Sequence, residues 1–301
     1  MKHLIETEAL SGLPTTEYDR IILDSATDNV IVRDGINTEY VDLGLPSELK
    51  WAKCNVGAKQ DTDYGYYFQW GDIVDKSNSD CSWENYKYCN GSHDTLTKYC
   101  TNNSYGTVVD NKTTLEPEDD AATQIMGDDW RMPTATEYQE LYNETLWVWC
   151  PGGNVGIKKT DEGGNESIEY IAYPTGYFVF KTNSKSDKKQ MGTFTKDEKN
   201  NLIGYTATSR TVYYPGAHEV TGGDVTSIAD GDTHIFFPAS GYANGTGVND
   251  RGSNGYYWSS SLHPSSSNLG LDLRFNSGYI NPQNYLNRFY GFCVRSVLRN
   301  N

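Results

Sequence analysis

The chain of 301 residues carries 25 basic and 40 acidic side chains, a formal charge of −15 at pH 7. Phosphate contacts need a positive face and anionic lipids repel an acidic one, so this balance argues against nucleic-acid partners and against adsorption to membranes. Aromatic residues reach 13% with 23 Tyr, beside 29 Gly, a composition of many turns and ring-lined surfaces instead of long Ala/Leu helices. The length allows a sizeable core in one large domain or two ordinary ones.

The N-terminal MKHLIETEALSG has no apolar signal-like core, and no apolar run is long enough to cross a bilayer. The chain is therefore expected neither to be exported by the general route nor to insert in a membrane. Residues 1–38 stand apart as a short arm. Arg20-Ile21-Ile22-Leu23 and Val30-Ile31-Val32-Arg33 are β-prone runs around a polar turn and predict a hairpin. A lone hairpin is marginal in water, so this arm is expected to pair with other copies or with a mounting protein; a disordered arm is the alternative.

Two helices are predicted in the middle of the chain. Pro117 suits a first helical turn, Glu118, Asp119 and Asp120 favour its positive end, and Gly127 stops it. Thr134 and Glu137 form a capping box for the second, where Tyr138, Leu141, Tyr142 and Thr145 share one side. Between them, Trp130 and Arg131 are expected in the core and paired to a carboxylate, respectively.

The stretch 249–298 holds the most informative pattern. Leu269, Leu271, Leu273 and Phe275 alternate with Gly270, Asp272 and Arg274, the period of a strand with one buried and one solvent face. A second strand is predicted around Phe292, Val294 and Ser296. Asn276-Ser277-Gly278 and Asn281-Pro282-Gln283-Asn284 have turn chemistry. Tyr279, Tyr285, Leu286, Phe289 and Tyr290 lie in or beside those turns, where exposed Tyr and Phe give large contact area at low entropy cost. The competing reading is that these rings pack a loop-rich core.

No catalytic constellation is legible. His3, His93, His218, His234 and His263 are scattered, with no HExxH, GxSxG or Ser/His/Asp arrangement and no phosphate-cradling glycine loop. Glu116, Glu118, Asp119 and Asp120 are read as helix-terminal acids, since no calcium-loop spacing follows them. Cys54, Cys81, Cys89, Cys100, Cys150 and Cys293 show no zinc-ligand spacing. Free thiols are expected, although Cys81, Cys89 and Cys100 share one loop-rich stretch and could pair in an oxidising setting. No cofactor and no metal are implied.

The C-terminal run GYYWSSS, LRFNSG, INPQN, NR and GFCVRSV resembles the variable proteins of diversity-generating retroelements. The segments EYVDLGLPSELKWAKCNVGA, DYGYYFQWGD, YKYCNGSHDTLTKY and LEPEDDAATQIMGDDWRMPTATEYQEL resemble lectin-like domains of gut Bacteroidetes and their phages. Those domains are related to the Fibrobacter paralogous domain family and, distantly, to formylglycine-generating enzymes. The resemblance implies an α+β, C-type lectin-like fold with two helices and a twisted antiparallel sheet over 39–301. It leaves residues 151–232 as a β-rich insertion, with strand-like pieces at 170–173, 176–181, 202–206 and 210–214 around the exposed KTNSKSDKKQ.

In such proteins adenine-directed mutagenesis randomises chosen codons on a constant scaffold. The positions so implied are His263, Leu269, Asp272, Arg274, Tyr279, Tyr285, Leu286, Phe289 and Tyr290, and all hold residues that the process permits. Glu116-Pro117-Glu118 begins a helix and Trp130 precedes Arg131, so the calcium-dependent sugar site of animal lectins is not implied. Only Cys293 lies where the enzyme relatives hold a reactive cysteine pair.

The expectation is a non-enzymatic protein binding a bacterial cell-surface protein or glycan. It would serve as a phage tail receptor-binding protein, a homotrimer or tail-mounted through 1–38; the alternatives are a surface or pilus adhesin and a metal- or oxygen-dependent enzyme. Replacing Tyr279, Tyr285, Phe289 and Tyr290 with Ala is expected to abolish binding and leave the melting temperature nearly unchanged.

Overall fold

The computed structural model describes residues 20–24, 29–33, 37–182, 191–208, 228–229 and 233–299. The predicted strand at 210–214 and the core of the KTNSKSDKKQ loop, 183–190, lie outside these residues, as do His3 and His218.

β1 (Arg20–Asp24) and β2 (Asn29–Arg33) pair antiparallel, Ile22 opposite Ile31, as the hairpin predicted for the N-terminal arm. The body begins with β3 (Tyr40–Val41) and β4 (Trp51–Asn55). A loop-rich stretch follows, then α1 (Ala121–Met126), β5 (Trp130–Arg131) and α2 (Ala135–Glu144). Pro117–Asp119 forms a separate 3-10 turn, and Asp120 caps α1 by accepting from the Thr123 amide. The capping box of α2 is present, with Thr134 and Glu137 each accepting from the other's backbone N–H. Arg131 pairs with Glu137 through two bonds of 2.7 and 2.5 Å.

The largest sheet is built from β6 (Thr145–Thr160), β7 (Glu166–Lys181), β8 (Met191–Lys196), β9 (Leu202–Thr208), β10 (Ile228–Ala229) and β11 (His234–Pro238), in the order β11-β7-β6-β8-β9 with β10 on β6. The apolar runs 146–150, 177–180 and 235–237 look continuous because both faces of the sheet are covered there, whereas 166–172 of β7 is exposed. Trp147, Trp149, Tyr177, Val179 and Phe237 enter one core cluster, while Val148, Cys150, Phe178, Phe180 and Phe236 enter another.

After β12 (Tyr242–Asn244) and β13 (Gly247–Asn249), a small pair, the chain forms the sheet that matters most here. It comprises β14 (Asn254–Leu262), β15 (Leu269–Asn276) and β16 (Tyr279–Asn287), antiparallel and in that order. β17 (Arg295–Leu298) closes the chain between β4 and β5.

The architecture corrects the expected fold class. Among the described residues 44% are strand and 8% helix, distributed over several separate sheets, so the molecule is mainly β and not an α+β fold of two helices on one twisted sheet. The helices exist where predicted, but they are short, and the strands of 151–232 join those around them in a sheet of six. The run Asn281-Pro282-Gln283-Asn284 is also not a turn: it lies inside β16. β16 is an edge strand, where a proline costs no ladder bond. Pro282 sits opposite the register shift between Asp272 and Arg274, a bulge that absorbs it.

Candidate ligand-binding face

The three-stranded sheet is covered on both sides for much of its length. Tyr257, Leu273, Phe275 and Ile280 pack into the cluster shared with α2, and Tyr256, Trp258 and Leu262 into the cluster containing Trp70 and Phe292. A Cβ on Gly270 would stand 2.8 Å from Trp70 and 3.0 Å from Trp258, so β15 passes hard against those rings. The alternation read from the sequence holds for Leu273, Arg274 and Phe275, but at the start of β15 it is reversed, with Gly270 and Asp272 buried and Leu269 and Leu271 half-buried.

This coverage sorts the nine implied positions. Asp272 is fully buried opposite Asn284, whose side-chain amide donates to both carboxylate oxygens at 3.0 and 3.1 Å. It is not presented to a ligand, contrary to expectation, because the second cluster closes over its side of the strand. Leu286, Phe289 and Tyr290 are half-buried and pack against that same cluster. Their replacement by Ala would remove core contacts, so the expectation of unchanged stability does not hold for Phe289 and Tyr290. Leu269 is half-buried at the start of β15.

The remaining positions fall into two groups. His263, just beyond β14, sets its ring 4.7 Å from that of Tyr285, which projects from β16 with 54% of its surface exposed. Arg274 and Tyr279, both half-buried, form the second group. The Arg274 guanidinium lies 5.2 Å from the ring centre of Tyr256 and 5.5 Å from that of Tyr279.

From Tyr256 a row of rings continues through Tyr290 and Phe289 and through two residues the sequence did not single out, Tyr242 and Trp83. Tyr242 is 5.1 Å from Tyr256 and 5.4 Å from Tyr290. Tyr290 in turn contacts Phe289 at 4.2 Å, and Phe289 contacts Trp83 at 5.2 Å. Trp83 and Tyr242 come from distant segments with no distinguishing pattern, and only tertiary packing assembles them with the C-terminal rings.

Burial raises the hydroxyl pKa of Tyr256, Tyr279 and Tyr242, which keeps these phenols neutral donors at physiological pH. Burial likewise pushes the Asp272 carboxyl up to about 8, against the opposing pull of Asn284 and Arg274, so it is mostly protonated at pH 7. His263 is shifted down by burial and is mostly neutral there. The Arg274 Nε is buried with no hydrogen-bond partner.

The other groups with possible chemistry are otherwise engaged. Glu116, Glu118 and Asp119 bring ligand atoms within 4.8 Å of one another. Lys98 Nζ bridges all three at 2.7, 3.6 and 2.5 Å, Lys112 and Lys87 add ion pairs to Glu116 and Asp119, and Tyr99 donates to Asp119 at 2.6 Å. Burial opposes ionisation of Asp119, but bonds from Lys98, Tyr88 and Tyr99 outweigh it and hold its pKa below the usual carboxylate range. Lys112 and Lys98 bring Glu116 down to about 2.

All six cysteines are free and five are buried. Burial pushes the Cys293 thiol up to about 12, and its Sγ donates to the Tyr64 carbonyl at 3.2 Å, so no thiolate forms there at neutral pH. No helix among the described residues is long and apolar enough to cross a membrane.

Residues 175–297 match the model of a family described as a domain of unknown function, DUF8237. The match runs from within β7 to within β17 and takes in the whole three-stranded sheet. Comparison with curated proteins and with solved structures gave no match.

Proposed function

We propose that this chain is a non-enzymatic binding protein that presents side chains of β14–β16 and the loop after them to a protein or glycan on a bacterial cell. In this reading it works as the variable proteins of diversity-generating retroelements do, as the receptor-binding component of a phage tail. The observation that carries the reading is the contrast within one sheet. His263, Arg274, Tyr279 and Tyr285 reach solvent, while the backbone that displays them is held by the fully buried Trp258, Leu273, Phe275 and Arg288. A rigid frame limits the ordering cost of binding, and Tyr adds contact area with few rotatable bonds. The β1–β2 hairpin is the proposed arm for trimerisation or for mounting on the tail.

Retention on intact Bacteroidetes cells tests the proposal. Combined replacement of His263, Tyr279 and Tyr285 with Ala is expected to lower retention at least tenfold and to shift the melting temperature by less than about 5 °C. A triple variant that adheres as well as the wild type would remove the C-terminal sheet from the binding surface.

A further inference from the structure

The Arg274 guanidinium is held in place without being neutralised. The rings of Tyr256 and Tyr279, at 5.2 and 5.5 Å, fix its position. Among the described residues it forms no ion pair, and its Nε is buried without an acceptor. The residue as a whole is half-buried, so a ligand that brings an acceptor to the rest of the guanidinium gives this charge the partner that the rings do not provide.

Asp272 and Asp250, the acids beside Tyr279 and Tyr256, form no ion pair with it among the described residues. Asp272 is taken by Asn284, and burial keeps its carboxyl largely uncharged at pH 7. Asp250 accepts from the Tyr256 hydroxyl at 3.5 Å. Arg274 thus has no ion-pair partner among the described residues, and it stands at one end of a row of rings.

We infer that Arg274 is the anion subsite of this surface and receives the carboxylate of an acidic saccharide, an inference that rests on the ligand-binding reading above. A carboxylate matches the planar fork of a guanidinium, which can donate two parallel bonds to it. A sugar fits the neighbourhood better than an acidic peptide side chain does. Tyr242 and Tyr290, half-buried and 5.4 Å apart, offer ring surface to the C–H faces of pyranose rings, above the buried ring of Tyr256. The neutral hydroxyls of Tyr242 and Tyr279 are donors suited to sugar oxygens.

The test titrates the full chain with oligosaccharides of glucuronate, galacturonate and N-acetylneuraminate, with their neutral counterparts, and with an oligo-aspartate peptide, followed by calorimetry. At least one acidic saccharide is expected to bind saturably and its neutral counterpart at least tenfold more weakly. Arg274→Gln should weaken that binding at least tenfold; should this variant not fold, Arg274→Lys, which retains charge but not the fork, should weaken it severalfold. Absence of binding by every acidic saccharide overturns the inference, as does binding indifferent to the Arg274 substitutions or preference for the peptide. Cell retention separates the two levels. If the His263, Tyr279 and Tyr285 triple variant loses retention and Arg274→Gln keeps it, the saccharide subsite fails and the binding surface stands; if the triple variant keeps it, the surface itself fails.

Discussion

Arg288 and Arg295 on one side, and Arg274 on the other, put the same functional group to opposite uses within one short stretch of chain. Arg288 is fully buried, and its three nitrogens donate to the Tyr86 hydroxyl and to the carbonyls of Tyr99, Ser267 and Lys98, all within 3.1 Å. Arg295, equally buried, donates to Asn55 and to the carbonyls of Ala52, Lys53 and Phe236. Each also lies over aromatic rings, Trp70 for Arg288 and Phe237 for Arg295. Arg274 has the rings but not the acceptors. Carbonyl acceptors turn a guanidinium into a clamp that ties loops together. Rings alone hold it in position with its donors unused, and that difference separates the frame from the face it presents.

The strongest way to break this comparison is to remove a clamp. Arg288→Met and Arg295→Met each strand several buried carbonyls and are expected to cost about 3 kcal/mol or more in denaturant unfolding. A loss as small as that expected at an exposed position would show that burial and hydrogen bonding do not distinguish these arginines from Arg274.

A second probe sharpens the comparison through pH. The folded-state pKa of Asp272, about 8, lies above the ordinary value of 3.8. The folded protein thus keeps a proton that the unfolded chain releases. The resulting stabilisation is complete below the unfolded pKa and is lost as pH rises toward 8, at up to about 1.4 kcal/mol per pH unit. Asp272→Asn removes this slope, so the variant should gain on the wild type between pH 5 and pH 8 in parallel denaturation curves. Parallel stability across that range would mean that Asp272 is ionised in the folded state.

The smallest effect is expected at Tyr285, the most exposed of the implied positions. Tyr285→Ala should change stability by no more than about 0.5 kcal/mol. A larger loss would place its contact with His263, at 4.7 Å, among the interactions that hold the frame.

Local chemistry was legible wherever a few neighbouring residues decide the outcome. The hairpin of β1 and β2, the capping box of α2, the Arg131–Glu137 pair and the stop at Gly127 all follow from short spacings. Asp272 was not legible as a buried group, because a strand's period says which side chains share a face and not what covers that face. Nor was Pro282 as a strand residue. Proline ordinarily marks a turn, and only the edge position of β16 and its bulge accommodate it.

Composition and order along the chain were sufficient to determine the acidic character, the places of the two helices and the strand around Leu273. The second cluster over Asp272, the meeting of Trp83 and Tyr242 with Phe289 and Tyr290, and the contrast between Arg274 and its two buried counterparts belong to tertiary structure alone. They depend on contacts between residues far apart in the chain, up to 243 positions for the Arg295 bond to the Ala52 carbonyl. Such contacts arise when faces that are separately apolar exclude water together, and nothing in either segment specifies its partner.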